Sequence, residues 1–242
     1  MSSIIQSPDY FSINGVLSSA VDLYCDTPPI PPMAKKRFTS FQFGKDEDGV
    51  FSDDSFENVP YTLRAYKFGN VYDVSDIYAF MQNAQRLEIS RDEDYFYKIR
   101  TVDSITPEIR YDGARADFRI RLTLAPFRYH KSNDEIALPQ GGVIVSPGTR
   151  YSKPVIRLQK TGSDQATVTT NGQQLKIFGA VSGALTIDSD RMLVYKTNHG
   201  GVNTAVTQYT DGPLPMLAPG NNQITVSSNI SSVGIVGNWR NY

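Results

Sequence analysis

The sequence predicts a mainly β protein, with a β-rich N-terminal domain that contains one α-helix and a C-terminal β-sandwich. The 14 Tyr and 12 Phe residues, together with frequent Val and Ile, suit the half-buried surface of a pleated sheet. The 18 Gly and 14 Pro residues supply turns between strands. Apolar residues alternate along most segments and follow a helical period in only one.

The first elements are a short hairpin and a proline-rich connector. The segment 11–24, FSINGVLSSAVDLY, predicts a hairpin because Asn14-Gly15 favours a two-residue turn with positive φ. Four prolines follow between residues 28 and 32, and proline lacks the N–H that a sheet requires. We therefore expect an extended, projecting connector. A strand over 37–43 comes next, and the acidic segment KDEDG turns it.

Helical periodicity appears in one segment, DVSDIYAFMQNAQ, residues 73–85. Its apolar residues recur at intervals of three and four and would share one face: Val74, Ile77, Tyr78, Met81 and Ala84. Asp73 is a suitable N-cap. We expect an amphipathic helix of about three turns, packed against a sheet.

Three alternating strands complete the N-terminal domain, at 59–68, 95–102 and 117–127. In the last, one face is apolar and the other polar: Phe118, Ile120, Leu122 and Leu124 against Arg119, Arg121 and Thr123. Such strands form antiparallel sheets with one face toward solvent or a partner. The arginine side, with Arg128 beyond it, is either ordinary solvated surface or a subunit interface, where arginine is enriched.

The C-terminal half of the sequence predicts a linker followed by a β-sandwich. Residues 138–154 hold three prolines and three glycines, which is typical of a domain boundary. We therefore predict an N-terminal domain over 1–140, a linker over 141–153 and a sandwich over 154–242. Alternating runs meet at Asn171-Gly172 and at Ser189-Asp190, as in hairpins, and strands recur at the spacing of a β-sandwich.

Near the C-terminus, residues 213–228 read PLPMLAPGNNQITVSS. Pro219 and Gly220 favour a turn, and Asn221 and Asn222 can bond their own backbone. We expect a long loop across one end of the sandwich, followed by a strand.

Composition excludes several classes of function. Lys and Arg total 24 and Asp and Glu total 25, so the net charge of -1 argues against a dedicated nucleic-acid binder and gives no reason to expect an anionic membrane as partner. The chain contains no apolar run of membrane-spanning length, and MSSIIQSPDY lacks the features of a secretory signal. Cys25, the one cysteine, excludes an internal disulfide and a multi-thiolate metal site, and we interpret it as a small buried residue.

The sequence contains no catalytic constellation, so we predict no enzyme activity, cofactor, metal or catalytic residue. His130 and His199 lie in different predicted domains without a ligand pattern around either. Motifs of zinc proteases, serine hydrolases, phosphate loops and dinucleotide loops are missing. The acidic groups 46–48 and 92–94 fit solvated turns, with calcium binding or paired-carboxylate hydrolysis as the alternatives. A catalytic pair of Cys25 with a histidine is a separate alternative.

A β-sandwich can also bind sugars by stacking them on exposed aromatic rings. Trp239 is the sole tryptophan and lies in the last predicted strand, where it is either a core anchor or a sugar platform. The triplet Asn229-Ile230-Ser231 matches the N-glycosylation pattern, which we attribute to chance without a signal peptide.

The order of these segments resembles that of the distal tail proteins (Dit) of long-tailed, non-contractile bacteriophages, over most of the chain. In the first half the resemblance rests on FSINGVLSSAVDLY, KDEDGVF before VPYTLRAYKF, DVSDIYAFMQNA and DFRIRLTLAPFRYH. In the second half it rests on KPVIRLQKTG, VTTNGQQLKI, LTIDSDRMLVY and PMLAPGNNQITVSS.

The resemblance implies an N-terminal ring-forming domain with a projecting hairpin, the belt, that embraces the neighbouring subunit. Part of the belt would lie around 24–50. It implies a galectin-like C-terminal sandwich, but the sugar-reading residues of galectins are not recognisable here, so lectin activity is not implied. Six copies would form a homo-hexameric hub, and whether two rings stack is left open.

The resemblance also implies partners and a location. The hub would join the major tail protein to the tail-associated fibre or lysin protein and to receptor-binding or baseplate proteins. It would sit at the virion tail tip after assembly in the bacterial cytoplasm. DNA would only pass through its central channel, and no membrane insertion is expected. The alternative function is a carbohydrate-binding module that recognises a host cell-wall saccharide.

Overall fold

A computed structural model describes residues 9–25, 30–43, 47–52, 55–110, 113–198 and 201–242. The described chain is mainly β with one α-helix, as predicted. It divides into two compact units, residues 1–131 together with Tyr242, and residues 132–241. Short 3₁₀ turns lie at Ser18–Val21 and Thr207–Tyr209.

The first unit is an antiparallel sheet with one helix and a separate hairpin. Its elements are β1 (Phe11–Ile13), β2 (Val16–Leu17), β3 (Thr39–Phe43), β4 (Glu47–Phe51), β5 (Val59–Phe68), α1 (Ser75–Gln82), β6 (Arg86–Ile89), β7 (Tyr95–Ile109) and β8 (Arg115–His130). Six strands follow the order β2-β1-β6-β7-β8-β5, and β3 pairs with β4 as a two-stranded hairpin.

The predicted hairpin at Asn14-Gly15 is confirmed, with φ of 52° and 83° at the two residues. The Asn14 side chain also binds outside its own turn. Its Oδ1 accepts the N–H groups of Gln85 and Arg86 at 3.0 Å, and its Nδ2 donates to the Asn83 carbonyl at 2.8 Å. The hairpin therefore fixes the point where the chain leaves α1 and enters β6.

The helix is shorter than predicted, eight residues instead of about three turns. Its predicted N-cap, Asp73, lies two residues before the first helical residue, where its Oδ1 accepts the Ser75 N–H at 3.2 Å. Ile77 and Met81 are fully buried in the core under the sheet, as the periodicity predicts, whereas Tyr78 is exposed. The Asn14 contacts to the segment after Gln82 explain the early end, because they hold that backbone as the start of a strand.

Strand β8 confirms the predicted apolar face and extends beyond it. Phe118, Ile120, Leu122 and Leu124 are each at most 1 % exposed. Between the pairs Tyr97–Arg128 and Ile99–Leu124, however, three residues of β8 oppose one of β7. Pro126 lies in this bulge, where its missing N–H costs no ladder bond. From the bulge onward, Ala125, Phe127 and Tyr129 form a separate small cluster with Phe56 and Phe96.

The second unit is a sandwich of two antiparallel sheets, which confirms the predicted architecture. Its strands are β9 (Ile136–Ala137), β10 (Gly141–Ser146), β11 (Val155–Lys160), β12 (Ala166–Thr170), β13 (Gln173–Ile177), β14 (Gly183–Asp188), β15 (Leu193–Thr197), β16 (Asn203–Ala205), β17 (Thr210–Asp211), β18 (Gly220–Val226), β19 (Ile230–Val236) and β20 (Arg240–Asn241). One sheet has the order β10-β18-β12-β13-β17, and the other β16-β15-β14-β11-β19-β9. Side chains from both sheets share one hydrophobic core.

The predicted linker is wrong over residues 141–146, which form strand β10 and pair with β18 along their whole length. The glycine that suggested a linker has a packing reason. A Cβ at Gly141 would lie 2.5 Å from the Ile224 carbonyl oxygen, and φ there is 91°. Pro147 follows the strand and does not interrupt it. These residues therefore belong to the sandwich.

The turn predicted at Pro219 and Gly220 ends before Asn221 and Asn222, because both residues lie in β18, and Asn222 bonds the nearby backbone as predicted. Asn222 is fully buried and organises the turn before it. Its Oδ1 accepts the Ala218 N–H at 2.7 Å, and its Nδ2 donates to the carbonyls of Ala218 and Gly220 at 2.9 and 2.8 Å. The Asn171 Nδ2 donates to the same Oδ1 at 2.7 Å, which links this turn to the Asn171-Gly172 hairpin.

Candidate functional site: assembly surfaces

In the described part of the chain, the residues that could take part in catalysis or metal binding do not lie together in one site. Cys25 is buried in the core of the first unit, as interpreted from the sequence. The His130 ring lies 4.7 Å from the Tyr95 ring, and His199 lies outside the described residues. Among the described residues, no group of three or more His, Cys, Asp and Glu side chains could hold a metal ion.

The acidic turn at 92–94 has a structural role through Asp92. Its carboxylate accepts hydrogen bonds from the Tyr97 hydroxyl at 2.9 Å and from the Arg128 guanidinium at 3.1 Å. Burial, and then the hydrogen bond to Asp92, raises the pKa of Tyr97. Arg128 also lies 4.3 Å from the Tyr95 ring centroid. The structure thus uses Arg128 in this local cluster. The side chains of the other acidic group, 46–48, lie outside the described residues.

The polar side of the sheet carries an arginine face, which we define as Arg64 of β5 with Arg119 and Arg121 of β8. Arg64 and Arg119 are directly opposite each other in the strand register, and all three residues are exposed. Arg119 pairs with Glu108 at 3.0 Å, whereas Arg64 and Arg121 form no ion pair with any described residue. Directly opposed like charges destabilise a sheet, and an acidic partner would relieve this repulsion.

A second candidate surface is the connector, which we define as residues 30–38. Backbone hydrogen bonds of 2.9 Å hold it at two points, from Arg37 to Ser55 and from Glu57 to Lys35. Its large apolar side chains nevertheless point outward, and Met33 and Phe38 are 76 % and 62 % exposed. Exposed apolar groups clustered on one segment indicate an interaction surface.

A groove of about 290 Å³ runs beside the connector. Its walls are mostly apolar, from residues 30–33 on one side and from Val59, Leu124, Pro126 and Tyr242 on the other. Tyr97 and Arg128 also line it. The mostly apolar opening is suited to apolar side chains of another protein segment.

Two exposed rings flank the five-stranded sheet of the sandwich: Phe178 directly follows β13 and Tyr209 directly precedes β17, and each is 40 % exposed. Trp239, the candidate platform, is 5 % exposed and belongs to the core, so it is the core anchor. The outer face of this sheet carries the exposed Val143 and Val145 beside amide and hydroxyl side chains such as Asn221, Gln223 and Thr225. Asn229 of the glycosylation-like triplet donates its amide to the carbonyls of residues 164 and 165 at 3.2 Å.

This chain is similar to known proteins in its three-dimensional structure. No protein-family model and no curated protein matches the chain. The Dit (gp 19.1) protein of phage SPP1, a paradigm of the hub adsorption apparatus in phages that infect Gram-positive bacteria, superposes with a TM-score of 0.68. The alignment covers 95 % of this chain and 98 % of that chain, at 13 % identity.

The chain has a Dit-like fold. A chain of the phage P2 baseplate in its activated conformation with Ca is also similar, with a TM-score of 0.59, 9 % identity and coverage of 95 % and 97 % of the two chains. The resemblance seen in the sequence is therefore confirmed by the fold, which extends over both units. The candidate surfaces are consequently surfaces of a Dit-like chain.

Proposed function

We propose that this protein is a distal tail protein of a long-tailed, non-contractile bacteriophage, and that six copies close into a hub at the tail tip. The Dit-like fold carries the proposal, because it accounts for almost the whole chain and almost the whole SPP1 protein. That protein belongs to a hub adsorption apparatus, and the second similar chain belongs to a baseplate. The role carried over is structural, and it requires no catalysis.

In this proposal the N-terminal domain, predicted as residues 1–140, forms the ring, and the domain predicted as residues 154–242 forms the galectin-like domain outside it. Strands β9 and β10 are part of that sandwich, so the ring domain ends before β9. A closed six-fold ring needs head-to-tail contacts between two different surfaces of neighbouring copies. The connector and the β3–β4 hairpin supply one surface, as parts of the belt. Their exposed apolar residues, including Met33, Phe38 and Phe51, support this assignment.

In the same proposal the arginine face contacts a partner protein, and the hub lies between other proteins of the tail. The ring would contact the major tail protein on one side, and the fibre or lysin protein with receptor-binding or baseplate proteins on the other. A net charge of -1 is compatible with a channel through which DNA passes, because excess fixed cations would hold its phosphates.

The test is the mass of the full chain by size-exclusion chromatography with light scattering, with 26.9 kDa per copy. We expect a mass that is a multiple of six copies. The variant Met33→Ser/Phe38→Ser should lose it, while Met192→Ser, which removes an exposed Met from the sandwich, should keep it. A wild-type monomer at every concentration, and also after mixing with the phage's major tail protein, would contradict the proposal.

A further inference from the structure

Strand β10 is an open edge of the sandwich. It ends the five-stranded sheet and pairs with β18 on one side only, apart from a single bridge at Gly141. It has six residues, whereas the other three edge strands, β9, β16 and β17, have two or three. Among the described residues, β10 is therefore the longest edge strand of the sandwich, with one side of its backbone outside the β18 ladder.

This edge lacks the features that usually prevent edge strands from pairing. Natural edges carry a charged residue, a proline or a bulge, or are very short. Residues 142–146 read GVIVS, without charge or proline, and pair with β18 in regular register. Val143 and Val145 are 56 % and 63 % exposed on the outer face. An exposed edge of this kind is a template for adding a strand.

The neighbourhood of the edge favours a second copy of this chain as the added strand. In a two-fold interface residue i of one copy contacts residue j of the other and the reverse, and a charge close to the axis also lies close to the same charge of the other copy. Here the residues opposite Val143 and Val145 on β18 are Gln223 and Asn221, which are uncharged. In antiparallel pairing centred on Ile144, Val143 of one copy lies against Val145 of the other. Self-pairing of the strand therefore brings valine against valine and no charge against a like charge.

We propose that β10 pairs with β10 of a second copy around a two-fold axis at Ile144. This contact is additional to the ring proposed above and does not depend on it. If the hub closes as a hexamer, the two-fold contact joins two hexamers. If the ring does not form, the same contact gives a dimer. The contact therefore predicts a factor of two in mass, whatever the ring does.

The experiment compares the masses of full-length variants by light scattering at matched micromolar concentrations. Val143→Lys/Val145→Lys places lysine against lysine across the axis and should halve the wild-type mass. Val143→Lys/Val145→Glu places lysine against glutamate twice and should restore it. Gln173→Lys/Gln174→Lys adds the same charge at two exposed sites of β13 and should leave the mass unchanged.

Trp239 fluorescence confirms that each variant retains a folded sandwich, because this ring lies in its core. A mass change from twelve to six copies supports both proposals, and a change from two copies to one supports the edge contact alone. If the double-lysine variant has the wild-type mass, or if the lysine–glutamate variant does not recover it, the proposed pairing is wrong.

Discussion

Replacing Asn222 by alanine should destabilise the sandwich strongly, although the residue lies in a stretch that looks like a surface turn. The side chain is fully buried and takes part in four hydrogen bonds of 2.7 to 2.9 Å. Alanine would leave without partners the N–H of Ala218, the Asn171 amide, and the carbonyls of Ala218 and Gly220.

The expected loss follows from the number of groups left without partners. Each hydrogen bond contributes about 1 kcal/mol net, and a buried group without a partner costs about 1–3 kcal/mol. Water can enter beside some of these groups, so we expect a loss of about 2–4 kcal/mol of the free energy of unfolding. This is a large part of the total of about 5–15 kcal/mol that is typical of a domain.

Urea unfolding followed by Trp239 fluorescence measures the effect, because the single tryptophan reports on the sandwich core. With a slope of about 1–3 kcal/mol per molar urea, a loss of about 2–4 kcal/mol should lower the midpoint by about 0.7–4 M. Gln223→Ala is the matched control, since the next residue is exposed and should change stability by less than about 0.5 kcal/mol. An Asn222→Ala variant as stable as this control would refute the reasoning.

Three further predictions follow from the two units. A Cβ at Gly237 would overlap the Trp239 indole, so Gly237→Ala should cost about 1–3 kcal/mol and shift Trp fluorescence; an unchanged emission spectrum would contradict this. The pKa of Tyr97 is raised in the folded state, so above about pH 10 the unfolded chain loses this proton while the folded chain keeps it, and the free energy of unfolding should fall. Tyr97→Phe should reduce that fall, as measured by urea titrations at successive pH values. Deleting residues 26–36 should abolish rings in light scattering while circular dichroism still shows β structure, and an intact ring would exclude this segment from the belt.

The sequence predicts those parts of the fold in which apolar and polar residues follow a regular period. The buried face of β8 from Phe118 to Leu124 is readable because its residues alternate without interruption. The bulge at Pro126 is not readable, because the mismatch of three residues against one depends on the partner strand β7. The same limit explains why β7 and β8 are longer than predicted.

The structure differs from the predicted linker and the predicted turn at a glycine and an asparagine, and both differences have one cause. Both residue types mark turns, but they also serve close backbone approach and buried hydrogen bonding. Gly141 is a strand residue because β18 approaches too closely for a side chain, and Asn222 is a strand residue whose amide turns inward. Neither environment is visible before the strands are paired.

The candidate surfaces were predictable in part. The prolines identify the connector, and the alternation identifies Arg119 and Arg121 on the polar side of β8. The outward direction of Met33 and Phe38, however, results from backbone bonds to residues 55–57. The opposition of Arg64 to Arg119 requires the register of β5 on β8. Local patterns therefore predict the elements, while pairing decides which side chains form a surface.

Electron microscopy of the purified full chain tests the central claim most directly. The account predicts class averages with six-fold symmetry and a central hole, formed by a chain that acts through assembly geometry. Well-populated particles of single copies, or closed rings with a symmetry other than six, would contradict it.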